Sequence, residues 1–344
     1  MNKARKLLDK DYVLSLFKRK ILPLYPDFNK IDKIKIISHK KNIWISTYHI
    51  VFEYRVSFSN KNYPQKRAKS FSFFVTAHSN EPRKNVHDVL TYLWDQGFSK
   101  GYLLIPKPLF YSKYFNASFY RGVQGENLLQ IIKRGNKIEI EDMVKKTAQW
   151  LVKLHRLKVP SDLSYNKKNN KIKTVLPGYQ EALRNLKEKH EGKYFTEVKK
   201  IYDCLIELEE DFFNLSHKRW LVHGDVHPEN IIKMSDRKIA FIDFADLCVS
   251  DFARDLGTFV QQLDYKLSQN NYSKVFINKV NKVFLEIYCQ GAKIKYNARL
   301  EERIKLYYSW TALRSALYWL LKHEPQPDRA DSLLLDIKKK VKIK

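Results

Sequence analysis

The segment spanning residues 221–244, LVHGDVHPENIIKMSDRKIAFIDF, constrains this chain more than any other. It opens with a His-x-Asp-x-x-x-x-Asn run made by His223, Asp225 and Asn230. Two short apolar runs follow, Ile231–Ile232 and Ile239–Ile242, and Ser235, Asp236, Arg237 and Lys238 form a polar turn between them. This is the pattern of a β-hairpin. With Asp236 and Arg237 at the turn centre, antiparallel pairing sets Ile232 opposite Phe241 and Ile231 opposite Ile242. Asn230 and Asp243 then face each other at the open end, two hard oxygen ligands suited to one small divalent cation. Asp225 sits on the loop entering the same end, which keeps its carboxylate exposed to an incoming hydroxyl. Asp and Asn in loops more often cap helices or stabilise turns. The added strand pair and terminal Asp243 are what separate this segment from that ordinary case.

One carboxylate beside an acceptor hydroxyl, with an amide and a second carboxylate for magnesium, is the arrangement that phosphoryl transfer from a nucleotide requires. The rest of the chain is compatible with it. A length of 344 residues predicts two lobes with ample material for a core. Hydrophobic residues at 44% argue for a folded globule. The formal net charge of +27 fits an acidic partner such as nucleotide, RNA or an anionic membrane surface. It equally fits a lysine-rich composition, since lysines are spread along the whole chain. No RNA-binding module accompanies the charge, which favours the second explanation and leaves nucleic acid a disfavoured partner. Cys204, Cys248 and Cys289 are scattered, with neither disulfide nor zinc spacing, so a reducing cytoplasm is expected. The basic N-terminal stretch lacks a continuous apolar run of signal-peptide length, and no stretch approaches the length of a membrane span.

The front of the chain reads as strand-rich. A helix is predicted over 4–20, strands over 32–39 and 43–58, and a basic turn NKNYPQKRAK leading to a strand over 70–78. A helix opens at Pro82 and ends at Gly97, and strands near 106–111 and 117–123 close this part. The back reads as helical: 139–158, 178–190, 195–216, 252–267, 272–290, 298–322 and 328–340. The lysine-rich stretch YNKKNNKIK at 165–173 is expected as a solvated loop, and the terminal KKKVKIK as a frayed tail.

HGDVHPEN and IDF resemble the catalytic core of the aminoglycoside phosphotransferase and choline kinase group, whose usual wording is His-Gly-Asp-x-His-Pro-x-Asn followed by Ile-Asp-Phe. That resemblance implies an α+β, bilobal protein-kinase-like fold, with a β-rich nucleotide-binding lobe at 1–122 and a larger helical catalytic and substrate lobe at 123–344. It implies Asp225 as catalytic carboxylate, Asn230 and Asp243 as magnesium ligands, and His223 and His227 as loop-shaping residues. DFARDLGTF at 251–259 extends it, with Asp255 matching a helix-start Asp that ties down the catalytic loop. A plain helix carboxylate paired with Arg254 is the alternative. YRGVQGENL at 120–128 fits the group's hinge, where backbone groups meet adenine, and so nominates Tyr120 and Gly122, with Gly125 and Glu126 opening the next helix. Leu154, His155, Arg156 and Leu157 meet the group's LHxL helix ending. The cofactors implied are ATP and Mg2+, and the acceptor a small-molecule hydroxyl.

Two departures bear on nucleotide affinity and turnover more than on the fold. The group's third strand carries a lysine that pairs with phosphates. Here that position falls at or near Thr76, with Lys69 lying before the strand, and a threonine hydroxyl cannot neutralise phosphate charge. Val86 and His87 stand where a partnering glutamate is expected. ISHKKNIWISTYHIVFEY also contains no glycine, so phosphate contacts fall to backbone groups, to His39, Lys40 or Lys41, or to Lys69. Three functions follow: an active small-molecule kinase with Mg-ATP between the lobes, a nucleotide-binding module without turnover, or an RNA-associated protein on the same scaffold. Asp264, Glu301, Glu302, Trp310 and Trp319 are possible acceptor contacts, and equally ordinary helix-surface and core residues.

Overall fold

A computed structural model describes residues 2–60, 68–81, 83–175 and 178–341. Most of the basic turn (61–67), Pro82 and the last three residues of the terminal tail (342–344) lie outside the described residues. The chain divides into two compact units that are not contiguous in sequence. The first is Met1–Gly125 with Asp162–Ser164 and Met234–Ala245, and the second is Glu126–Ser161, Tyr165–Lys233 and Asp246–Lys344.

The first unit is built on a five-stranded antiparallel sheet. Its strands are β1 (Lys30–Ile43), β2 (Tyr48–Ser59), β3 (Lys69–His78), β5 (Lys107–Ser112) and β6 (Ala117–Arg121), in the order β1-β2-β3-β6-β5. The period-two run Ile50, Phe52, Tyr54, Val56 and Phe58 is wholly buried on one face, beside Phe73, Val75 and Ala77 of β3. Helix α1 (Lys10–Lys20) brings Phe17 onto this face, its ring 5.2 Å from Tyr54 and 5.5 Å from Phe73. Helix α2 (Lys84–Leu93) packs on β5 and β6. The two-residue strand β4 (Leu103–Leu104) runs parallel to β10 (Ile239–Phe241).

Two boundaries differ from the sequence reading. The helix expected over 4–20 is broken at Asp9, whose carboxylate accepts from the backbone N–H groups of Asp11 and Tyr12 and so starts α1 afresh. The first strand runs to Ile43 and the turn is Trp44–Thr47, closed by Trp44 N donating to Thr47 O. The second strand therefore starts at Tyr48, not at 43.

The second unit is mainly helical. Helices α3 (Leu128–Arg134), α4 (Lys137–His155), α5 (Tyr179–Lys189), α6 (Phe195–Leu215), α7 (Ala253–Gln269), α8 (Lys274–Ala292), α9 (Ala298–Leu321) and α10 (Pro327–Lys340) surround two short strand pairs. Strand β7 (Glu126–Asn127) pairs with β9 (Ile231–Lys233), and β8 (Trp220–Val222) with β11 (Cys248–Ser250). Helix α7 crosses α9 at backbone contact. A Cβ on Gly257 would lie 2.5 Å from the Ile304 carbonyl oxygen, so only glycine permits this approach. Among the described residues no helix is long and apolar enough to cross a membrane.

The stretch 165–173 is not a solvated loop. Asn169 and Ile172 are buried, and the segment lies across β11. Asn169 Nδ2 donates to Asp246 Oδ1 at 2.7 Å, and Asn170 O accepts from Ser250 Oγ at 2.9 Å. The Ile172 N–H donates to buried Glu209 of α6 at 2.7 Å, and the Tyr307 hydroxyl donates to the same carboxylate at 3.0 Å. A lysine- and asparagine-rich composition hides this role, because buried asparagine has no periodic signature.

Burial pushes the Glu209 carboxyl up to about 7, against the hydrogen bonds and the nearby Arg254 charge. The folded state therefore holds a proton that the unfolded chain gives up near pH 4.3, and stability falls as pH rises from there to about 7. Glu209→Gln can keep both hydrogen bonds without the charge. It should be more stable than the parent at pH 8, by on the order of 1–3 kcal/mol, with the advantage gone at pH 4; denaturant unfolding at the two pH values measures this.

Candidate active site

The His223–Asn230 loop leaves β8 and enters β9 within the second unit. Its shape is set from beneath by Asp255, fully buried in the first turn of α7. Asp255 Oδ2 accepts from the His223 N–H at 2.8 Å and Oδ1 from the Gly224 N–H at 2.9 Å. His155, at the end of α4, places Nε2 3.0 Å from Asp255 Oδ2 and Nδ1 2.8 Å from the Tyr288 hydroxyl. Burial works against the Asp255 anion, but these donors and the facing His155 and His223 hold its carboxyl below its ordinary range. Arg254 does not pair with Asp255. Its guanidinium donates to the Asn169 carbonyl and lies 3.6 Å from Cys248 Sγ.

Gly224 turns the loop with φ +82°, and a Cβ there would sit 2.4 Å from the Asp246 carbonyl oxygen. Both conformation and space demand glycine. His223 is fully buried, its ring 6.2 Å from Trp150. After this turn the Asp225 side chain emerges partly exposed, while Asn230 Nδ2 donates to the Asp225 carbonyl at 3.1 Å and closes the loop on itself. That bond commits the Asn230 NH2 group inward and leaves Oδ1 as the amide's acceptor.

Three further side chains form a chain of alternating charge with Asp225. His227 Nε2 lies 3.4 Å from Asp225 Oδ2, and His227 Nδ1 lies 2.9 Å from Glu229 Oε2. Glu229 Oε1 also accepts from Lys266 Nζ of α7 at 2.6 Å. Burial disfavours the imidazolium, but its two carboxylate partners outweigh this and raise His227 to about 10. Burial likewise opposes the Asp225 anion, yet the bonded His227, with Arg314 and His223 nearby, holds its carboxyl well below the usual range. Glu229 and Lys266 were not singled out from the sequence. Glu229 stands in the motif's variable position, and Lys266 is distant from it in the chain.

In the first unit, Asp243 follows β10 with φ +63°, a left-handed backbone that Asp tolerates better than most residues. Tyr120 is close enough to Asp243 that burial and this charge together push its phenol up. Thr76 pairs with Val51 and Ser118 inside the sheet, whereas Lys69 is exposed at the strand's other end, opposite Phe58. At roughly 3.3 Å per residue they stand about 23 Å apart, so they do not share one phosphate. The Gly122 N–H donates to Ser72 O at 2.9 Å, and a Cβ on Gly122 would meet the Phe74 ring at 2.4 Å. Phe74 stacks on Tyr120 at 5.8 Å and on His39 at 5.7 Å. His39 and Arg55 both bind buried Glu53, so His39 is engaged with a carboxylate. Among the described residues no ion pair involves Lys40, Lys41 or Lys69.

Of the acceptor candidates, Trp319 lines a cavity that also contains Asp225. Trp310 is core, Asp264 is bonded by Asn281 and Tyr308, and Glu301 pairs with Lys305. Glu302 is exposed and Glu301 half-buried, and neither lines that cavity.

A β-sheet unit joined to a larger helical one is the mixed α+β, kinase-like fold. The chain belongs to the phosphotransferase enzyme family, whose sequence model matches residues 57–291. No curated protein matches it in sequence. Solved structures share the fold at low identity. The choline kinase from Cryptosporidium parvum Iowa II is 12% identical with a TM-score of 0.64, over 96% of this chain and 95% of that one. Amicoumacin kinase hAmiN, in complex with AMP-PNP, Ca2+ and Ami, is 13% identical with a TM-score of 0.61, over 97% and 94%. The streptomycin-ATP-APH(2'')-IIa ternary complex is 16% identical with a TM-score of 0.57, over 95% and 96%.

The geometry makes Asp255 the anchor of the loop. In Asp255→Asn the amide NH2 must face a backbone N–H or the His155 ring, leaving a buried donor unpaired. Destabilisation of about 3 kcal/mol or more is expected in denaturant unfolding.

Proposed function

We propose that this protein transfers the γ-phosphate of ATP to a hydroxyl of a small molecule. The observation that carries the reading is the Asp225 carboxylate, held at the rim of a cavity on a loop locked by Asp255, Gly224 and Asn230. Family membership supports the reaction class. Nucleotide appears in the amicoumacin kinase and APH(2'')-IIa complexes, and by that likeness ATP is the donor.

In this reading Asp225 accepts a hydrogen bond from the acceptor hydroxyl and aims its oxygen. A carboxylate held this far below its ordinary range is a weak base, so it takes the proton only as the oxygen–phosphorus bond forms. His227 keeps Asp225 ionised and fixes its rotamer. Asn230 Oδ1 and the Asp243 carboxylate are each proposed as magnesium ligands, as the family's wording implies. An amide oxygen and a carboxylate are each hard donors of the kind that ion takes, and it retains several waters and needs no full protein cage. Bound magnesium would neutralise phosphate charge during transfer. Tyr120 and Gly122 are proposed to border the nucleotide base, and Gly122 lines a cavity of about 210 Å³ together with Trp94, Ile105 and Gln124.

A second reading, nucleotide binding with impaired turnover, is favoured by one feature. The β3 face carries Ser72, Phe74 and Thr76 and no cation, while the nearby Arg55 and His39 are already bound to Glu53. ADP release from Mg-ATP with a hydroxyl-bearing panel separates the two. Turnover that falls 10²- to 10⁴-fold in Asp225→Asn, and disappears on chelation of the metal, supports the kinase. A Mg-ATP-dependent rise in Tm with no ADP formed supports the second reading.

A further inference from the structure

The cavity at Asp225 lies wholly within the second unit and has a volume of about 280 Å³. That is at the small end of ligand pockets, which run about 300–1,000 Å³, so it suits a single-ring compound. Its wall includes Asp225, His227, Lys266, Arg314, Tyr265 and Trp319. The carboxylates at this wall already have cationic partners: Asp225 has His227, and Glu229 has both His227 and Lys266. Asp264 of α7 is absent from the lining. Arg314, half-buried on α9, is different. Among the described residues it makes no ion pair within 4 Å; its charge helps hold Asp225 ionised from a distance, and its guanidinium stands 5.9 Å from the Trp310 ring. The Tyr265 hydroxyl is buried without a hydrogen-bond partner.

A guanidinium in such a wall repels an ammonium-bearing acceptor and offers a forked donor to an anion. We infer, resting on the kinase reading, that the acceptor is a single-ring hydroxyl compound bearing an anionic group, with its hydroxyl at Asp225 and its carboxylate or phosphate on Arg314. Tyr265 and Trp319 supply flat apolar contact for the ring. Selection against cationic acceptors comes from the Arg314 charge, which no salt bridge among the described residues neutralises.

The test uses the full chain and ring compounds that share one hydroxymethyl group and differ in a second substituent: carboxylate, phosphate, carboxamide or aminomethyl. ADP formation gives kcat/KM, and calorimetry without nucleotide gives binding. The carboxylate or phosphate compound should exceed the aminomethyl compound by about 10- to 100-fold, and the two anionic arms rank the sources. Arg314→Gln should collapse that ratio toward one, Arg314→Glu should reverse it, and Arg314→Lys should retain the ranking, with folding of each variant checked by circular dichroism. An equal or higher rate for the aminomethyl compound, or a ratio unmoved by Arg314→Gln, overturns the inference while ADP formation leaves the kinase reading intact. If no compound yields ADP, the kinase reading fails and calorimetry decides. Arg314-dependent binding of an anionic compound supports the pocket's specificity, and its absence overturns it.

Discussion

The buried carboxylate of Asp255 is the interaction on which the second unit's site depends. A fully buried anion is costly unless donors surround it. Here the donors are two consecutive backbone N–H groups, of His223 and Gly224, and the ring of His155. Two successive N–H groups can reach one carboxylate only where the backbone turns sharply, and the left-handed Gly224 supplies that turn. The charge on α7 thus dictates the path of the loop from β8 to Asp225. Because His155 is itself fixed by Tyr288 of α8, three helices meet at the buried carboxylate that shapes the Asp225 loop.

A second polar layer supports the first. Asn169 binds Asp246, whose carbonyl crowds Gly224, and the Asn169 carbonyl receives Arg254, the neighbour of Asp255. Asp251 is held by Arg303 of α9, at 2.7 Å from Nε. The segment 165–174 therefore acts as a strap across β11, tying the loop's far side to α6 through Glu209. Such networks are stiff when each member is satisfied, and a stiff support is what keeps a catalytic side chain in place within fractions of an ångström.

How much of this was legible follows from the range of each contact. The loop His223–Asn230 and the strands Ile231–Lys233 and Ile239–Phe241 are local features, so turn residues and apolar runs revealed them. The alternation over Ile50–Phe58 revealed the face that α1 covers. Asp255 was nominated only through the family's wording, since nothing in DFARDLGTF says that its carboxylate reaches back to residues 223 and 224. The strap was misread because lysine and asparagine have the same composition in a solvated loop and in one whose asparagines are buried. The break at Asp9 was overlooked because a capping Asp followed by an apolar period resembles a helix interior. Lys266 and Arg314 were invisible for a different reason: a lysine or arginine on a helix is ordinary until the fold shows what it faces.

Charge is where sequence and site diverge most. The formal +27 is spread along the chain and says little by itself. Around Asp225 the same excess becomes specific, because His227 and Lys266 are consumed by Asp225 and Glu229 while Arg314 remains without an ion pair among the described residues. Clamping Asp225 as an anion makes it a good hydrogen-bond acceptor and a poor proton sink. The proposed phosphoryl transfer, with a loose transition state, would ask little of a base and much of alignment, and a carboxylate held as an anion is compatible with that demand. The cost of the pairing is paid in basicity the reaction does not need. What it gains is a single orientation for the Asp225 carboxylate.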